Sequence, residues 1–159
     1  MLRRGATVLA LVAVAVWLGG LVTLGAIVAP TIFALVSMPA SADAMTQVFL
    51  RFDVLAMISA AGLLTTEAAR AVGRIPFGRI DHARAAASVL AAAAAVLEGA
   101  SVSPRIAALH AAGALRGRGP EGLELDRLHQ MAETLGKTQV LLLVAVLTLH
   151  VLSWPKPRP

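Results

Sequence analysis

From Gly5 to Ser37 no side chain carries a charge, and from Thr138 to Pro155 the same holds. A helix crosses a hydrocarbon core about 30 Å thick with roughly 20 apolar residues, so each run can thread a bilayer. Two further segments meet the same test, giving four spans at about 6–29, 52–72, 83–103 and 135–154. Hydrophobic residues make up 58% of the 159, charged residues 14%, whereas soluble domains carry about 25% charged. That is too little charge to clothe a water-facing surface. A soluble enzyme, a disordered tail and a nucleic-acid reader all fit poorly. The net charge of +5 is spread through the connections rather than gathered on one face, so no nucleic-acid partner is expected. The expected fold is all-α, a single membrane domain over 1–159 built as a four-helix bundle with a helical outer connection over 104–134. Its first partner is the lipid bilayer.

Cysteine is absent, which removes disulfides, thiolate metal sites and thiol nucleophiles together. Asparagine is absent too, so N-glycosylation has no acceptor.

Orientation is read from arginine and lysine near the span ends. Arg3 and Arg4 precede the first span, Arg70, Arg74, Arg79 and Arg84 surround the short connection between the second and third, and Lys156 and Arg158 follow the fourth. The opposite side carries Arg51, Arg105, Arg116, Arg118, Arg127 and Lys137, interspersed with Glu121, Glu124, Asp126 and Glu133. Both termini and the short arginine loop are therefore expected in the cytoplasm of a bacterial inner membrane protein. Ala40-Ser41-Ala42 could be read as a signal cleavage site, but the preceding apolar run far exceeds a signal's ~7–15 residues. The first span is expected to be retained.

The connections have patterns of their own. Ser41 reads as an N-cap, with Met45, Val48, Phe49 and Phe52 following at helical spacing. Ser103-Pro104 reads as an N-cap and first-turn proline starting a short helix through Leu115. Arg116 to Gly122, rich in glycine, reads as a loop. Leu125, Leu128, Ala132 and Leu135 then run without a breaker into the fourth span, predicting one long helix.

Intramembrane carboxylates cost about 2.5–3.5 kcal/mol to insert and are functional suspects for that reason. Glu98 is the foremost. Ala95, Ala94, Ala91 and Ala87 precede it at helical intervals, a small-residue stripe that lets another helix approach and turns Glu98 inward. Asp53 stands at the outer start of the second span, and His129 and Glu133 form an i, i+4 pair above the fourth. These four protonatable groups predict a polar site in the outer half, suited to a metal ion, a proton relay or a cationic solute. Bland readings stand beside each: a protonated Glu98 serving packing, Glu133 paired with Lys137, a headgroup-level Asp53, a merely satisfied histidine. Glu67 with Arg70 and Asp81 with His82 read as boundary pairs. Met38 and Met45 offer soft sulfur for Cu(I), though methionine there commonly fills apolar space. No phosphate loop, H-E-x-x-H or G-x-S-x-G occurs, so neither an enzyme nor a cofactor is expected.

Trp17-Leu18-Gly19-Gly20, Ala29-Pro30 with Phe33, Phe49-Leu50-Arg51-Phe52, Pro104-Arg105-Ile106 and Leu128-His129 together resemble the bacterial family of unknown function numbered 4149, related to animal transmembrane protein 205. The Trp-Leu-Gly-Gly segment is also similar to the copper-resistance protein D family. The resemblance implies four spans and no assigned catalytic or binding residue. Physically, Gly19 and Gly20 admit close helix contact, and Trp17 anchors or packs. The functional expectation is a non-enzymatic membrane protein handling a small solute or metal ion. The alternatives are a structural or assembly partner of another membrane protein, including an oligomer, and a copper- or haem-binding redox module.

In this cysteine-free chain, single cysteines placed across Arg74 to Arg79 should react with a membrane-impermeant maleimide only after the cytoplasmic face is opened. Labelling of intact cells at those positions would invert the topology.

Overall fold

The computed structural model describes residues 2–73 and 78–153, with side chains from residue 5 onward. Arg74, Trp154, Lys156 and Arg158, and the side chains of Arg3 and Arg4, lie outside the described residues. Four long helices account for nearly all of the rest: α1 (Gly5–Leu35), α2 (Ala40–Val72), α3 (Arg79–Ala111) and α4 (Gly119–Leu152), of 31, 33, 33 and 34 residues. Each is about 46–51 Å long at the α-helical rise, more than a hydrocarbon core requires. Their outward faces are apolar, among them Val12 and Ile27 on α1, Val54 and Ile58 on α2, Val89 and Leu90 on α3, and Leu141 and Val151 on α4. A face of this kind belongs in lipid, so the chain is an all-α, multi-pass membrane bundle.

Two of the helices contain a proline well past their first turn and do not stop there. In α1 a π turn spans Leu24–Val28 and the Ala29 N–H bonds to the Leu24 carbonyl, one residue before Pro30. In α3 the π turn spans Glu98–Val102 and the Ser103 N–H bonds to the Glu98 carbonyl, one residue before Pro104. Proline lacks an N–H and its ring crowds the carbonyl four residues back. Widening the preceding turn accommodates that ring while the helix continues.

This corrects one expectation. Ser103 does not cap a separate helix, because Val102 and Ser103 keep right-handed helical torsions and α3 runs on to Ala111. Ser41 is not an N-cap either. Pro39 occupies that position, and the Ser41 hydroxyl donates to Met38 Sδ at 3.1 Å. The expected loop at Arg116 to Gly122 lies earlier. Gly113 ends α3 with φ +79°, and the Ala114 N–H bonds to the Leu109 carbonyl at 3.0 Å, the wrap of a Schellman cap. Pro120 sits in the first turn of α4, where its missing N–H costs nothing. The long helix entering the fourth span is as expected.

The helices pack in sequence order around a ring, α1 on α2, α2 on α3, α3 on α4 and α4 back on α1. The core is built of small and medium residues: Ala10, Ala13, Val14, Ala56, Ala60, Leu63, Ala87, Ala91, Ala95, Leu143 and Val146 surround Trp17. Ala91, Ala94 and Ala95 are all buried, so the alanine stripe on α3 does form an internal contact face. Gly20 meets the Phe52 ring so closely that a Cβ would overlap it, whereas a Cβ on Gly19 would meet nothing within 4 Å.

At one end the ring is tied by a buried ion cluster. Arg84 on α3 is 1% exposed and clamps Glu67 on α2 through two bonds of 2.8 and 3.1 Å. It also donates to Asp81 at 2.8 Å and to Ser153 beyond α4 at 3.4 Å. Arg70, beside Glu67, donates to Thr7 on α1 at 3.0 Å. Asp81 additionally accepts from the Gly78 N–H at 3.0 Å, closing the first turn of α3. The expected boundary pair of Glu67 with Arg70 is thus the weaker contact, at 3.9 Å. Arg84 holds the carboxylate because α2 and α3 form an antiparallel hairpin, in which residues equally far from the connection share a depth.

Two measurements test this packing. Gly20→Ala should lose about 1–3 kcal/mol of stability by overpacking against Phe52, while Gly19→Ala should leave the melting temperature nearly unchanged; equal effects would refute the contact. Arg84→Met should cost about 3–5 kcal/mol by leaving Glu67 buried and unpaired, and the double change Glu67→Leu with Arg84→Met should recover most of that loss.

Candidate functional site

A second polar layer crosses the bundle about 21 Å farther along α2, the rise from Glu67 to Asp53. Each helix contributes to it. Trp17 of α1 is 0% exposed and its Nε1–H donates to Gln139 Oε1 of α4 at 3.0 Å. Gln139, 1% exposed, donates through Nε2 to Glu98 Oε2 of α3 at 2.5 Å. Asp53 of α2 is buried, with Ser103 of α3 beside it. Its Oδ2 has no hydrogen-bond partner; among the described residues the only other such buried side-chain atom is His150 Nε2.

The π turn is what brings the α3 contributions together. In a regular helix residues five apart point about 140° away from each other, which would aim Ser103 away from the face of Glu98. The wider turn, closed by the bond from the Ser103 N–H to the Glu98 carbonyl, moves them toward one side. Gly99 then lets α2 come close: a Cβ there would stand 3.1 Å from Asp53 Cβ and 3.4 Å from Met57 Cε. Since Gly99 adjoins Glu98 and packs against Asp53, the two acids share one level of the bundle. Trp17, Gln139 and Ser103, their neighbours, are all neutral.

Of the four expected site residues, the structure brings Asp53 and Glu98 together. His129 lies about 15 Å along α4 from Gln139; its Nδ1 contacts the Leu125 carbonyl at 2.8 Å, and its ring meets His110 edge-on with centroids 5.7 Å apart. Glu133 is exposed and accepts from Lys137 at 2.6 Å. Among the described residues, no three His, Cys, Asp or Glu side chains group as a metal site. Met38 Sδ accepts from Ser41, while Met45 is buried at 3% exposure.

Sequence reasoning missed Gln139 and Ser103 because it weighed ionisable groups and passed over neutral polar ones within the spans. The hairpin held a usable signal. Asp53 and Glu98 are equally far from the connection between α2 and α3, as Glu67 and Arg84 are, so the antiparallel register places each pair at one level. Gly19 lies with Ala15, Val22, Thr23 and Leu147 along a groove between α1 and α4, away from this layer.

No curated protein and no solved structure matches the chain. Residues 12–114 match a family described as a domain of unknown function, DUF4149. The matched segment takes in Trp17, Asp53, Glu98 and Ser103, and leaves Gln139 and all of α4 beyond it. With well over half of its length matched, the chain belongs to the DUF4149 family.

Proposed function

We propose that this chain is a non-enzymatic inner-membrane protein of bacteria that binds and passes a small cationic solute or ion at the Asp53–Glu98 layer, in the outer half of the bilayer, with both termini in the cytoplasm. The observation that carries the reading is the acid pair itself. Two carboxyl groups share one level of the bundle, with neutral partners and one orphaned oxygen. Negative charge in a low-dielectric interior requires compensation, and a cation from outside the protein supplies it. The contrast with the other layer supports this: there Arg84 already neutralises Glu67 from within.

The assembly reading keeps one support of its own. The groove lined by Ala15, Gly19 and Val22 exposes small residues on the lipid side, where another transmembrane helix could pack.

Proteoliposomes carrying the purified protein should take up at least one of sodium, rubidium and methylammonium faster than empty vesicles. Losing one charge-assisted contact, worth about 2 kcal/mol, should weaken binding about thirtyfold in Asp53→Asn and Glu98→Gln. Wild-type uptake no faster than that of empty vesicles for all three probes would sink the transport reading, and a stoichiometric membrane-protein partner on purification would then favour assembly.

A further inference from the structure

We infer that the Asp53–Glu98 pair holds a single exchangeable proton, and that the Trp17–Gln139 hydrogen bond positions the Glu98 carboxyl that carries it. The inference rests on the reading of this layer as an ion site and names the ion. It follows from which atoms are able to donate. The Trp17 indole N–H is a donor only, so the Gln139 atom facing it at 3.0 Å is the amide oxygen. The amide nitrogen is thereby turned toward Glu98, where it donates to Oε2 at 2.5 Å. An oxygen receiving that bond acts as an acceptor, and a proton on Glu98 belongs on Oε1.

On the opposite side, Asp53 Oδ2 is a buried acceptor with no donor, in a residue only 6% exposed. An orphaned acceptor of this kind costs about 1–3 kcal/mol, more if charged. One proton on the pair removes one of its two negative charges and so lowers that cost.

Among the described residues, no other titratable group stands beside the pair. From α1 the layer receives Trp17 within a stretch uncharged from Gly5 to Leu35, from α4 it receives Gln139, and from α3 it receives Glu98 and Ser103. Binding forms one O–H bond on the carboxylate pair and breaks one in a hydronium ion, leaving water; release reverses both. The two carboxyls titrate as a coupled unit, so each partner's replacement alters the whole response.

Infrared difference spectra of the full-length protein in lipid, recorded while pH is stepped, read the carbonyl stretch of a protonated carboxyl directly. The wild type should show one such pH-dependent band. Glu98→Gln should abolish it, Asp53→Asn should displace its midpoint, and Trp17→Phe and Gln139→Leu should keep the band with its midpoint moved by about one pH unit, the equivalent of one lost hydrogen bond. Circular dichroism confirms the helical fold of each variant. A band in Glu98→Gln identical to that of the wild type overturns the proton site. An unmoved midpoint in both Trp17→Phe and Gln139→Leu overturns the positioning role. A titrating band without vesicle uptake of any probe keeps the proton site and sinks the transport reading; uptake without a titrating band does the reverse.

Discussion

Inside a bilayer no water is at hand to satisfy a polar group, so every such group must find its partner within the protein. This constraint organises the molecule. The backbone meets it by remaining helical for more than thirty residues at a time, even across Pro30 and Pro104. The side chains meet it by gathering into two layers in which partners come from different helices. In lipid, apolar faces gain little by meeting one another. The bundle is therefore held by close packing of alanine and glycine together with these cross-helix bonds.

The two layers solve the same problem in opposite ways. Glu67, Arg84 and Asp81 bring both signs of charge and close on each other, tying α2 and α3 and reaching Ser153 past α4. Trp17, Gln139, Glu98, Ser103 and Asp53 bring acid and neutral partners, and one carboxylate oxygen is left over. A cluster closed on itself suits a fixed tie. A cluster short of one positive charge suits a site that gains and loses one.

The π turn in α3 links chain chemistry to site geometry. Proline at position 104 obliges the preceding turn to widen, and the widened turn starts at Glu98 itself. A residue that looked like a helix starter in the linear chain thus acts within a continuous helix, turning Ser103 toward the face that carries Glu98. Gly99 completes the arrangement by letting the Asp53 side chain approach. Expecting a cap at Ser103 failed because proline after serine is compatible with two local outcomes, and packing against α2 and α4 selects between them.

Four spans, an all-helical fold, an inward-facing alanine stripe and the suspicion attached to Glu98 were all legible in the residue order, because transfer of apolar side chains and buried carboxylates is governed by local composition. The partners were not. Whether Glu98 meets Gln139 or His129, and whether Glu67 meets Arg70 or Arg84, depends on helix register and rotation, which long-range packing sets. Helical spacing favoured Arg70 and Lys137 as partners of Glu67 and Glu133; folding kept both and gave Glu67 a closer partner across the hairpin. Residue order settles what must be buried in the membrane, and the assembled bundle settles what each buried group touches, since contacts between helices are fixed by geometry that no single helix contains.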